Sequence, residues 1–352
     1  MPDWTKTMIQ TFEYYIVDPE TWKDVEKLNC VIKSTISRDS EAETLGSANI
    51  YVTEGLNECY VRIYMVTSQN GITERFPFGT FLIQTPTTSF DGRSKSVSVD
   101  AYTPLLELKE NPPPIGYTVL KGENVMSYAC RLARDNTRTP VVEAIDAEIL
   151  HSDFTANTDD KWLSFISDLA ARAKNHIELD EIGRILFAPN QEIDSLQPVW
   201  TYSDDNSSIL YPNISIDQDL YSIPNVVEVS YSKGMEHYYA IVKNDDPNSP
   251  TSTVNRGRVI THRVTDPDFS GDPSDIQIKE YANTLLKELS TVKCTLSYTH
   301  GYCPVRLGDC VRLNYKRAGL IDVKAKVTRQ SIECETGCKV TETAVYSTKL
   351  WG

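Results

Sequence analysis

YVRIYMVTSQNGITERFPFGTFLIQT, residues 60–85, sets the fold class. Apolar and polar residues alternate up to Asn70-Gly71, and a second strand-like run follows. Asn-Gly suits a two-residue type I′ turn, in which both central residues need a positive φ. The stretch therefore predicts an antiparallel hairpin. Around it lie more short β-rich runs: FEYYIV (12–17), followed by the turn signal Asp18-Pro19, VIKSTIS (31–37) and KSVSVDAY (95–102). Many short strands separated by turn residues argue for a small barrel or sandwich. The expectation is a first β-barrel domain over residues 1–110.

NPPPIG at 111–116 breaks this pattern, since three prolines fit neither a helix interior nor a central strand. Beyond it the period changes. GENVMSYACRLARDN puts Val125, Ala129, Leu132 and Ala133 on one helical face. TDDKWLSFISDLAARAKNH places Trp162, Phe165, Ile166, Leu169, Ala170 and Ala173 at helical spacing, predicting a helix over 159–175 with Thr158 or Asp159 as its cap. Asp168 and Lys174 fall on its solvent side. IELDEIGRILFAP then reads as strand, turn and strand about Asp180–Gly183. Residues 111–222 are thus expected to form an α+β module with two helices.

From IPNVVEVSYS (223–232) the β signal returns. KNDDPNSPTSTVNRGR (243–258) reads as an exposed polar loop or ribbon, and DPSDIQIKEYANTLLKELS as a helix with Ile278, Ala282, Leu285 and Leu289 as its apolar stripe. Asp272-Pro273-Ser274 supplies its start signals. Four strand-like runs follow: TVKCTLSYTH, DCVRLNY, DVKAKVTRQSIEC and CKVTETAVYS. Residues 223–352 are expected to be a second β-barrel domain carrying an inserted loop and helix at about 243–290. The fold class is α+β and β-rich.

Composition limits the function. Hydrophobic residues make up 40% of the 352, enough for real cores, and no apolar run reaches the ~18–20 residues of a membrane span. The opening MPDWTKTMIQTFEYY has no basic region followed by an apolar one, so folding in a reducing cytoplasm is expected. With 35 Lys plus Arg against 49 Asp plus Glu, the net charge is −14. A chain this acidic, with no clustered basic face, is unsuited to sequence-independent nucleic-acid binding.

Eight cysteines raise the question of chemistry: Cys30, Cys59, Cys130, Cys294, Cys303, Cys310, Cys334 and Cys338. In THGYCPVRLGDCVRLNY (299–315), His300 stands beside Cys303 and Cys310, with Cys294, Cys334 and Cys338 nearby in sequence. Structural zinc usually takes tighter pairs such as C-x2-C, so these spacings disfavour it. The simpler reading makes Leu307-Gly308-Asp309 a turn and Cys310 a small apolar strand residue. Cys334 and Cys338 flank the loop Glu335-Thr336-Gly337 and should face each other as thiols across a hairpin. A Cys–His nucleophile would need a thiol near His300, His262, His237, His176 or His151, and no nucleophile elbow, H-E-x-x-H or P-loop accompanies any of them. Asp180-Glu181 resembles a carboxylate pair for glycoside hydrolysis, but acidic residues before a turn glycine are more often solvated turn residues. No catalytic, metal or cofactor residue is assigned, and no cofactor is expected.

Taken together, the chain resembles the baseplate hub (tail hub) proteins of long-tailed bacteriophages and related contractile injection particles. The stretches that carry the resemblance are FGTFLIQTPTTSFDG with YTPLLEL, then WLSFISDLAARAKNHIELDEIGRILFAPN and IPNVVEVSYS, then DDPNSPTSTVNRGRVITHRV, YANTLLKEL and GYCPVRLGDCVRLNY. They span roughly residues 45–345, and their order and spacing are more specific than any one of them. The resemblance implies a homotrimer in which each chain supplies two similar small barrels, giving a pseudo-six-fold ring. Such a ring joins a tail tube or distal tail protein to a central spike, tail-tip or fibre protein. DNA passes through it only as cargo. It implies a non-enzymatic structural protein of the virion, assembled in the host bacterial cytoplasm. The alternatives are a tail-associated cell-wall hydrolase and a carbohydrate- or receptor-binding tail protein.

Overall fold

The computed structural model describes residues 1–90, 92–93, 95–205, 208–233, 236–269 and 273–351. It is a β-rich α+β structure. In chain order the elements begin with β1 (Ile9–Val17), β2 (Asp24–Leu28), β3 (Val31–Asp39), β4 (Gly46–Val52), β5 (Tyr60–Gln69), β6 (Ile72–Phe90) and β7 (Lys95–Tyr102). Next come α1 (Leu106–Glu110), β8 (Thr118–Val119), α2 (Val125–Asp135), β9 (Phe154–Thr155), α3 (Trp162–Arg172), β10 (Asn175–Leu179), β11 (Ile185–Pro189) and β12 (Pro198–Ser203). The rest are β13 (Leu210–Gln218), β14 (Val226–Lys233), β15 (Glu236–Lys243), α4 (Thr253–Arg256), β16 (Thr261–Thr265), α5 (Asp275–Leu289), β17 (Thr291–Gly301), β18 (Cys310–Tyr315), β19 (Leu320–Cys334) and β20 (Lys339–Lys349). The chain divides into two compact units, Met1–Ile214 with Ser297–Ala344, and Ser215–Leu296 with Val345–Gly352. No described helix is long and apolar enough to cross a membrane.

The first unit is organised by a large sheet in which the order β20-β19-β3-β4-β7-β6-β5-β1-β2 runs to the β2 edge, with β18 on β19 and β12 on β18. The β5–β6 hairpin turns at Asn70 and Gly71, whose φ values of 53° and 78° are the two positive angles that the sequence demands. Further along, Ile63 pairs with Gly79 and Tyr64 with Pro77, so Phe78 is an extra residue in β6. This bulge explains how a proline sits inside a long strand. It also explains Gly79, at φ 137°, where a Cβ would stand 2.7 Å from the Phe81 ring.

Helices α2 and α3 share one apolar core with Leu105, Leu108 and Val119. Asn124 starts α2 by accepting from Ser127 N at 2.9 Å, and Val125, Ala129, Leu132 and Ala133 are buried as the spacing predicts. In α3 the stripe from Trp162 to Ala170 is buried, Ala173 is half-buried, and Asp168 and Lys174 are exposed. The ends differ from expectation. Lys161 is the cap, with Ser164 Oγ accepting from its backbone N at 3.0 Å. The helix stops at Arg172 because Lys174 turns left-handed, at φ 56°. Before the helix, Asp160 accepts from Asn157 N in the preceding turn, at 2.7 Å.

In the second unit β14 pairs antiparallel with β15 and parallel with β16, and α5 covers one face. Val227, Val229 and Ala240 meet Ile278, Ala282 and Leu286. Leu286, not Leu285 or Leu289, is the fully buried member of the last turns. Ser274 caps α5 in a capping box with Gln277; the expected start residue Asp272 lies outside the described residues. The segment 243–258 is mostly exposed, as its polarity predicts, but Asn244, Ser249, Thr251 and Ser252 are buried. Their side chains satisfy one another: Asn244 Nδ2 donates to Ser249 Oγ at 2.8 Å, Ser249 Oγ meets Thr251 Oγ1 at 3.2 Å, and Ser252 Oγ accepts from Asn255 N. Polar residues fill a core when their hydrogen bonds close on themselves, which composition alone does not reveal.

Candidate functional site

Two constellations in the first unit gather the residues with chemical potential. The first is the turn Asp180–Gly183 between β10 and β11. Asp180 accepts from the backbone N of Ile182 and Arg184 and pairs with Arg184 Nε at 2.6 Å. Glu181 pairs with Arg38 Nη2 at 2.6 Å and Arg306 Nε at 3.0 Å. The carbonyl of Ile182 accepts from Trp22 Nε1 at 2.9 Å, Thr80 Oγ1 at 2.8 Å and Arg62 Nη2 at 3.3 Å. Gly183 sits at φ 81° over Thr80, where a Cβ would stand 2.8 Å from Thr80 Cβ. Glycoside hydrolysis needs one carboxyl free to give a proton and another free to attack or activate water. These two are each held by arginine, and the turn clamps β1–β6 residues to the α+β module. Gly183→Ala should cost about 1–3 kcal/mol from backbone strain and the Thr80 overlap. A urea-midpoint loss worth less than ~0.5 kcal/mol, the range of a neutral surface change, would show that the turn is not clamped there.

The second constellation surrounds His300 on β17, which is fully buried, as is Glu342 on β20. His300 Nε2 lies 3.3 Å from Glu342 Oε2 and 3.0 Å from the Tyr202 hydroxyl. Its Nδ1 lies 2.6 Å from the carbonyl of Gly301. Both ring nitrogens thus face acceptors, the arrangement of an imidazolium. Glu342 also accepts from Tyr298 OH at 2.8 Å, Tyr202 OH at 3.2 Å and Gln330 Nε2 at 2.6 Å. Gln330 reaches onward to the carbonyl of Val305 and accepts from Arg38. Burial alone would strip the His300 proton, but hydrogen bonds to Cys303 and Glu342, with their charge, push its pKa up to about 10. Burial likewise opposes the Glu342 carboxylate, yet His300, Gln330 and Tyr298 hold its pKa below the usual value. Burial, then the Glu342 charge, lifts the hydroxyls of Tyr202 and Tyr298 well above theirs.

Cys303 completes this knot, with its Sγ 3.2 Å from Tyr202 OH and 3.9 Å from His300 Nδ1. The closer partner of Nδ1 is the Gly301 carbonyl, and the Cys303 thiol is buried. Tyr202, His300 and Glu342 tie β12, β17 and β20 together through side chains.

No protein-family model matches the chain, and its sequence matches no curated protein. Solved structures do match. The fold is similar to that of the tail protein from Neisseria meningitidis MC58, with a TM-score of 0.61 over 96% of each chain at 13% identity. It is also similar to the 43 kDa tail protein of prophage MuSo2 from Shewanella oneidensis, with a TM-score of 0.59 over 95% of this chain and 98% of that one at 11% identity. The chain has a phage tail protein fold.

On this tail-protein fold the remaining sequence candidates are dispersed. Cys310 opens β18 as a buried strand residue, after a turn in which Gly308 has φ 87° and Asp309 Oδ2 accepts from Arg306 N at 2.8 Å. Cys294 lies buried on β17 in the other unit. His151 contacts Glu148, His176 contacts Glu178 and His237 contacts Ser232, while His262 is exposed on β16. Among the described residues no group of three or more His, Cys, Asp or Glu side chains is placed to hold a metal ion. An open cleft of about 910 Å³ lies beside the proline break, lined by Glu107, Asn111, Pro112, Pro114, Arg138 and Trp162, among others. Its carboxylate Glu107 accepts from the backbone N of Arg138 at 2.8 Å and from Thr137 Oγ1 at 3.0 Å. Sequence reasoning missed the Glu342–Tyr202–Gln330 partners. Part of the signal was there, because the period-two face Cys294, Leu296, Tyr298, His300 puts a histidine at a core position.

Proposed function

We propose that this chain is a structural component of a phage particle, a homotrimeric tail or baseplate hub. In this reading the β regions of residues 1–110 and 223–352 act as two tube-like barrels, with 111–222 as the module between them. Three chains then present a pseudo-six-fold ring to the tail tube or distal tail protein, and three-fold symmetry to a central spike, tail-tip or fibre protein. The observation that carries the proposal is the likeness in fold to two tail proteins over at least 95% of each chain. The arginine-held carboxylates Asp180 and Glu181 support this reading over a glycoside hydrolase. A net charge of −14 suits a channel that DNA crosses without adsorbing, since like charge opposes binding.

Light scattering on the purified chain tests this. Cyclic closure requires a heterologous interface, so the expected mass is that of a trimer, or of a monomer that trimerises when a tube or spike partner is added. Negative-stain images of the trimer should show a ring with a central hole. A two-fold dimer under both conditions would overturn the proposal, as would cell-wall lysis in a turbidity assay that is lost on replacing Glu181 or Cys303.

A further inference from the structure

The end of the β19–β20 hairpin holds a second feature that the tail role does not use. Cys334 ends β19 and Cys338 immediately precedes β20, with only Glu335, Thr336 and Gly337 between them. The three linking residues are exposed, whereas Cys334 is 3% and Cys338 0% exposed. Both side chains therefore turn to the same inner face. The link is a tight turn, with Cys338 N donating to Glu335 O at 2.9 Å and Gly337 at φ 90°. Inside, Cys334 stands opposite Ser34 of β3, whose hydroxyl lies 3.0 Å from Tyr14 OH. The backbone of Tyr302 donates to Cys338 O at 3.1 Å. Both cysteines are free thiols. Cys338 lies in the turn itself, at φ 32°, close enough to Cys334 to feel its charge. A disulfide needs Cβ atoms ~3.5–4.5 Å apart, a spacing that a short link containing glycine can adjust to reach.

We propose that Cys334 and Cys338 are a slow thiol–disulfide latch, open in a reducing environment and closed after prolonged contact with a small-molecule disulfide. The thiolate of Cys334 attacks one sulfur of oxidised glutathione and expels one glutathione thiolate. The thiolate of Cys338 then attacks Sγ of Cys334 and expels the second. The hairpin loses two protons and two electrons, and two glutathione thiols carry them. The slowness is built in, because the thiolate is the reacting form. Burial pushes the Cys334 thiol up to about 12, and burial together with the Cys334 charge raises Cys338 as well. Reaction must wait for the hairpin tip to open. On its outer side the tip carries two exposed ion pairs, Lys33 with Glu335 and Lys339 with Glu333.

The test uses the full chain carrying Cys59→Ser, because half-exposed Cys59 lies close enough to Cys30 to feel its charge and would react first. After incubation with excess oxidised glutathione over days, the peptide containing residues 334–338 should have lost two hydrogens and carry no glutathione. Native far-ultraviolet dichroism should be retained. The added Cys338→Ser variant should gain glutathione on Cys334 or keep the thiol, and form no internal bond. Closing so short a loop should shift the unfolding equilibrium toward the native state by no more than about thirtyfold. Persistent free thiols at both positions, a stable glutathione adduct in the chain that keeps both cysteines, or a bond from either residue to another cysteine would each overturn the proposal.

Discussion

Glu342→Ala should lower stability by about 3–5 kcal/mol, because it leaves the His300 imidazolium buried without its counter-charge. The same change strands the Tyr298 hydroxyl and one Gln330 amide hydrogen, both now donating to Glu342. His300→Ala should act similarly, since the Glu342 carboxylate then loses its cation. Replacing both with leucine should cost less than either single change, as an apolar pair has no charge to strand. Urea midpoints for the four proteins check this. A double variant as weak as the sum of the singles would mean that the two residues act independently.

The pair also sets a pH window. The folded His300 pKa, about 10, lies above the usual 6.5. Its stabilising share is therefore complete below about 6.5 and lost as pH rises through about 10. Glu342 moves the opposite way, below the usual 4.5. Its share is complete above about 4.5 and lost as pH falls through the lowered value. Stability should be greatest between those limits for the wild-type chain, and the alkaline decline should be shallower in His300→Leu.

Phe165→Ala is the second large effect. Phe165 is fully buried and touches Tyr117, Phe154 and Trp162, with ring centroids 5.7, 4.9 and 6.0 Å away. Losing the ring removes buried apolar surface and opens a cavity between α3 and β9, at a cost of about 3–5 kcal/mol. Leu169→Ala, on the same stripe, should cost about 2–5 kcal/mol. Asp168→Ala, on the exposed face, should stay within ~0.5 kcal/mol. Midpoints that put Asp168 ahead of Phe165 would show that the helix faces the other way.

What the sequence reveals and what it hides follows from the range of the interactions. The Asn70-Gly71 turn, the α3 stripe and the strand at Cys310 are written in neighbouring residues, where period and turn chemistry act. The ends of α3 differ because Lys161 starts it through its backbone bond to Ser164 and Lys174 turns left-handed, neither of which the apolar stripe reveals. Within the exposed segment 243–258 the buried Asn244, Ser249, Thr251 and Ser252 were not legible, because their hydrogen bonds close in three dimensions. The His300 knot draws on Tyr202, Gln330 and Glu342, far apart in the chain, and no local pattern joins them. The turn at Asp180–Gly183 was legible as a turn. Its arginine partners Arg38 and Arg306 were not.

The three bonds to the Ile182 carbonyl bear on how the chain is made. They span 160, 102 and 120 positions, to Trp22, Thr80 and Arg62. A ribosome emitting the chain releases the β5–β6 hairpin long before residue 182 exists. Until then the Trp22 indole and one Arg62 donor wait without this acceptor, beside the Thr80 and Pro104 side chains that the Gly183 backbone has not yet covered. Contacts of such separation form late, and chains that wait for them expose surface to chaperones and to other nascent copies. A fragment ending at residue 110 should therefore associate with itself more readily than the full chain, in which the Ile182 turn is present.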